Sequence, residues 1–158
     1  MTTSTRIAGG TAAVAAAAVL VIAAVAVSGS SAAASDDENT LQFQVEFSPP
    51  SYTDLGAPGF SAADVLVFHD QLLRNGRQVG HEVGSCVLVD AAGLANCTAV
   101  VTLDDRGTIA FAFENAPPPE KVLAITGGSG DFRNAGGDGT LVEHGDGTGT
   151  LTLSISTR

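Results

Sequence analysis

The 158-residue sequence has no tryptophan, one tyrosine, one methionine and a single lysine, and its seven basic side chains face 17 acidic ones. Each shortage excludes something. With a formal net charge of −10 and no basic stripe, the surface repels nucleic acid and anionic membranes, and neither is expected as a partner. Lys121 stands alone, so no G-x-x-x-x-G-K-[ST] phosphate loop exists. The three histidines, His69, His81 and His144, are scattered without metal-ligand spacing, and no metal is expected. Ser85 shares a run with His81 but sits on no nucleophile elbow, which argues against a hydrolase triad.

What is present begins with an uncharged run. Residues 7–27 read IAGGTAAVAAAAVLVIAAVAV, after Arg6 and before SGSSAAAS. A basic start, an apolar segment and small residues at Ala32 and Ala34 describe a secretory signal peptide, a helical leader over 1–34 cleaved after Ala34. About 20 apolar residues also suffice to cross a bilayer, so an uncleaved anchor to the cell envelope is the alternative, and the only route to a membrane. Arginine over lysine with abundant alanine and glycine fits a bacterial source. Residues 35–158 are long enough for one secreted domain with its own core.

That domain reads as strands throughout. Alternating or β-rich runs cover 40–47, 64–73, 77–90, 96–103, 107–113, 121–126, 139–144 and 150–156. The turns RNG, DDRG and GDGTG separate neighbours, and SPPSYTDLGAPGFSA and ENAPPPE read as loops. No helical period appears after Ser35. Eight strands with tight connections predict an all-β fold, an eight-stranded antiparallel up-and-down barrel or a sandwich; such a barrel has room for one small ligand.

The two cysteines lie in GSCVLVDAAGLANCTAVVTL. If Asp90 and Gly93 close a two-residue turn, Cys86 and Cys97 fall directly opposite each other across the hairpin, close enough to bridge. Export would favour the disulfide. By strand parity Leu66, Phe68 and Asp70 share one face, as do Cys97, Ala99, Val101 and Leu103.

The stretch AITGGSGDFRNAGGDGTL (124–141) concentrates glycine. It lacks the third glycine and following helix of a dinucleotide fingerprint. Cut at nine residues, the tail keeps the glycine period of the calcium repeat G-G-x-G-x-D-x-U-x. Its sixth positions, however, are Phe132, Leu141 and Thr150 instead of aspartate. The glycines then read as turn residues between two late strands.

SAADVLVFHDQLL, VGHEVGSC and LAITGGSGDFRNAGG together resemble the allene oxide cyclase and dirigent barrel superfamily. Its patterns are G-D-x-x-x-F, V-G-x-x-x-G-x-C and A-I-T-G-G-[TA]-G-x-[YF]-x-x-A-x-G, the last carried here by Gly127, Gly128 and Gly130. Ala63 replaces the glycine before Asp64, Ser129 the usual Thr or Ala, and Gly136 a frequent arginine. The resemblance implies a lipocalin-like barrel with an apolar cavity, often trimeric, needing neither cofactor nor metal. It would bind a small apolar molecule and catalyse an isomerase- or cyclase-type rearrangement or direct its stereochemistry. A non-catalytic binding barrel or a structural barrel of the cell envelope is the alternative. The resemblance points to Glu46, or Gln44 with a two-residue shift, as the catalytic position. The pocket would be lined by Leu66, Phe68, Asp70, Ala99, Val101 and Phe132, and Cys86 matches the family's pocket cysteine.

Overall fold

The two-residue alternation of the sequence becomes the wall of a closed barrel. The computed structural model describes residues 39–116 and 119–157; the leader expected over 1–34 lies outside them. The elements are β1 (Thr40–Glu46), β2 (Ser51–Thr53), β3 (Val65–Arg74), β4 (Arg77–Leu88), β5 (Ala95–Leu103), β6 (Gly107–Asn115), β7 (Glu120–Gly128), a 3-10 turn at Gly130–Phe132, β8 (Ala135–Glu143) and β9 (Thr148–Thr157). Neighbours pair antiparallel in the order β1-β9-β8-β7-β6-β5-β4-β3. The ring closes where β3 returns to β1, pairing Leu73 with Gln44, Leu72 with Val45 and Gln71 with Glu46. Eight long strands thus form the expected barrel.

Inward positions carry the apolar half of the alternation. Phe43, Val45, Leu72, Val101, Ile109, Phe111, Leu123, Leu151 and Leu153 form one buried cluster. An eight-stranded barrel is just wide enough for such side chains to fill it, and each contributes roughly 1.5–3 kcal/mol on burial. The turns follow the sequence. Asn75 and Gly76, at φ 54° and 70°, make the left-handed hairpin turn that RNG predicts. Cys86 lies opposite Cys97 in the β4–β5 register, as the Asp90–Gly93 turn requires, and the two form a disulfide.

Two elements differ from the sequence reading. The segment read as a loop after β1 contains β2, three residues paired with Val65–Val67 of β3. Strand β8 begins at Ala135, four residues before the expected start, because its glycines, poor strand formers alone, pair in register with β9. Gly128 and Gly130 lie in the connection before it, as expected. They press on the β5–β6 turn, where an added Cβ would meet the Thr108 and Arg106 carbonyl oxygens at 2.5 and 2.4 Å. Gly127 has open space around it. Ser129 N–H donates to Thr108 O and Asp131 N–H to Arg106 O, so the glycine motif works as a clasp between two turns.

Candidate functional site

Strand β3 changes partner along its length. Its first residues, Val65–Val67, pair with β2 and its later ones, Gln71–Leu73, with β1. Between them the chain at 47–50 leaves the wall, and Asp70 faces this gap. The Ser48 N–H donates to Asp70 Oδ1 at 2.7 Å, so a carboxylate replaces the missing ladder. Directly opposite Asp70 on β4 stands Glu82. Both are buried, at 4% and 2% exposure.

The two carboxyl groups open onto a cavity of about 210 Å³ whose lining includes Phe47, Pro50, Leu66, Phe68, Phe113 and Leu141. Gly84 helps make the room. It occupies the next inward position after Glu82, and the Phe68 ring lies across it, 2.3 Å from where a Cβ would be. Cys86 continues that row, so the disulfide forms part of the wall.

Electrostatics separate the pair. Burial pushes the Glu82 carboxyl up to about 8, with the neighbouring Asp70 charge adding to the rise. Burial also raises Asp70, but the Ser48 amide pulls the other way by favouring its ionised form. No hydrogen bond from the described residues reaches Glu82. Near neutrality Glu82 therefore holds a proton and Asp70 is the better candidate for the charge. A buried acid beside a buried base, with apolar walls, can give and take protons.

The segment 51–64 flanks this site and is held by one carboxylate. Asp64, fully buried, accepts from Tyr52 Oη at 2.6 Å, Leu55 N at 2.9 Å and Ser61 N at 2.7 Å. These donors, the Tyr52 hydroxyl foremost, hold its carboxyl down at about 2. Ala63, where the family pattern has glycine, takes φ 77°, a conformation that glycine adopts without strain.

Of the residues expected in the pocket, Leu66, Phe68, Asp70 and Cys86 line it. Ala99 and Val101 lie in the packed core. Phe132 is buried toward the other end of the barrel, beneath Arg106 at 4.8 Å. Glu46 is exposed, as is Gln44, because Leu41, Phe43 and Val45 take the inward parity of β1. The expectation of Glu46 in the cavity is corrected by that parity. Glu82 was missed although the signal existed: it is four residues before Cys86, hence on the same inward face.

The far end carries the opposite sign. Arg74, Arg77 and Arg106 surround a second, open cavity of about 450 Å³, with Asp104 among them. Arg74 stacks over Phe43 at 5.2 Å and Arg106 pairs with Asp131 at 3.2 Å. Among the described residues, no three His, Cys, Asp or Glu side chains gather where an ion could be held.

No protein-family model matches the chain, and comparison with curated proteins finds no relative. Solved structures do match. A pyocyanin demethylase superposes with a TM-score of 0.67 at 26% identity, over 74% of this chain and 99% of its own. A pterocarpan synthase dirigent protein gives 0.56 at 18% identity, over 75% and 88%. A Diels Alderase from Streptomyces koyangensis gives 0.57 at 15%, over 78% and 72%. The chain has the barrel fold shared by dirigent and allene oxide cyclase-like proteins.

Proposed function

We propose that this protein is a small-molecule barrel that moves a proton on its bound ligand, in an isomerase- or cyclase-type rearrangement. The observation that carries the reading is the directly opposed Asp70–Glu82 pair in a cavity walled mainly by apolar side chains, with Ser48, Asn115 and Glu143 as its other polar lining. Glu82 donates the proton and Asp70, steadied by the Ser48 amide, accepts one. The walls exclude water, which strengthens both interactions and protects a reactive intermediate. The structural neighbours, a demethylase, a Diels Alderase and a dirigent protein, support a barrel that acts on or directs small molecules. The disulfide supports export to an oxidising compartment. Val67, Val83 and Val87, at 42–46% exposure on β3 and β4, supply an apolar outer face that the trimer implied by the family resemblance would cover.

The test begins with the molecule that co-purifies with the protein. Extracted, identified and returned to the protein in D2O, it should gain deuterium at carbon or rearrange. Glu82→Gln should abolish that change. Deuterium uptake undiminished in Glu82→Gln would remove Glu82 as the donor, and no uptake or rearrangement with wild type would leave a binding barrel without the proposed chemistry.

A further inference from the structure

The lining of the Asp70–Glu82 cavity also constrains the charge of its ligand, an inference that rests on the proposed function only in taking this cavity as the ligand site. Three phenyl side chains, Phe47, Phe68 and Phe113, share the space with Asp70 and Glu82. Among the described residues no cationic side chain lines it. Lys121 lies nearby on β7, but its ammonium donates to Ala116 O at 2.8 Å and sits 4.0 Å from Glu143, the third acid at this cavity. The arginine cluster borders the other cavity.

Each class of ligand can be weighed against that lining. An anion would enter beside three acidic groups while the nearby Lys121 ammonium is already held by Ala116 O and Glu143, and its lost hydration would be poorly compensated. A neutral hydrocarbon would fill the apolar walls but would leave Glu82 without a polar partner. A planar cation answers both demands, since aromatic faces attract cations and carboxylates neutralise them. The protein's net charge of −10 favours the approach of a cation as well.

We propose that the cavity selects a flat, positively charged aromatic molecule, such as an N-alkylated heteroaromatic ring, stacked on the phenyl side chains with its charge toward Asp70 and Glu82. Volume agrees: about 210 Å³ accommodates a two-ring system and little more. Binding carries a signature of its own. The titratable groups facing the cavity are Asp70, Glu82 and Glu143, with His69 acting on Asp70 from the outer face of β3. A cation arriving beside protonated Glu82 loosens its proton, so binding releases a fraction of a proton to solvent and leaves the acid that remains a stronger donor to the ligand.

Calorimetric titration of the purified protein with three matched probes tests this. They are the cation N-methylquinolinium, its neutral isostere 1-methylnaphthalene, and the anion 1-naphthoate. The cation should bind at least about tenfold tighter than the isostere, and the anion should not bind measurably. Titrations at pH 7.5 in two buffers of different ionisation enthalpy should report a fractional proton release. Asp70→Asn with Glu82→Gln should remove both the preference and the proton while keeping affinity for 1-methylnaphthalene. If the neutral isostere binds wild type as tightly as the cation, charge selection is overturned and the small-molecule reading stands. If no probe binds the folded wild-type protein, both fall.

Discussion

Asp70 and Glu82 face each other as a register pair on β3 and β4, two acids enclosed in one apolar space. Such a pair is costly to ionise twice, and the burden falls on Glu82, whose folded carboxyl sits at about 8 against an ordinary 4.5. Between those values the folded chain holds a proton that the unfolded chain gives up. Stability is therefore full below pH 4.5 and falls as pH rises toward 8, by at most about 1.4 kcal/mol per pH unit. Glu82→Gln does not titrate. In urea unfolding it should match wild type near pH 4 and exceed it progressively up to pH 8. Parallel stability curves would remove the buried acid from the account.

The disulfide predicts a separate loss. Cys86 and Cys97 are 11 residues apart in sequence, and closing so short a loop restricts the unfolded chain by roughly 3 kcal/mol. The Cys86→Ala, Cys97→Ala protein should lose about that much in denaturant midpoint analysis. Purified wild type should show no free thiol and a mass two hydrogens below the reduced form. A reactive thiol in the native protein would contradict the bridge.

Gly84 is a steric prediction. A Cβ there would sit 2.3 Å from Phe68 Cζ and 2.7 Å from the Thr98 carbonyl oxygen. The ring can swing, but the backbone of β5 cannot easily move. Gly84→Ala should cost about 1–3 kcal/mol and should weaken N-methylquinolinium binding by displacing Phe68 into the cavity. Unchanged melting and binding would mean that the ring does not rest there.

These particulars show where the sequence was readable. Alternation along Leu41, Phe43 and Val45 set the inward face of β1, and the Asp90–Gly93 turn set the register that brings the cysteines together. Local patterns of that kind survive folding because period and turn geometry enforce them. Strand β2 was hidden because Pro49 and Pro50 precede it and only pairing with β3 makes it a strand. The start of β8 was hidden for the same reason, its glycines gaining strand form only from β9. The site was half visible. Parity put Asp70 on one face with Leu66 and Phe68 and the family resemblance made that face the pocket; parity from Cys86 would have added Glu82, whereas Glu46 came from family position and parity argued against it. That one cavity gathers Asp70, Glu82 and Glu143 follows from the three-dimensional pairing of strands, which no short stretch encodes.

The clamp at Asp64 yields the last prediction. Its carboxylate gathers the Tyr52 hydroxyl and the Leu55 and Ser61 amides, fixing the segment that leads from the cavity edge back into β3. An asparagine keeps one acceptor but turns an amide toward donors, so at least one of these bonds must break. Asp64→Asn should accelerate hydrogen exchange across residues 52–61 while leaving β5–β9 protected. Because the folded carboxyl lies at about 2, below its ordinary 3.8, the clamp's contribution is complete above pH 4 and disappears as pH falls through 2. The stability difference between wild type and variant should therefore hold steady from pH 8 to pH 5 and narrow in acid. A gap that persists undiminished at pH 2 would mean that the ionised carboxylate is not what holds the segment.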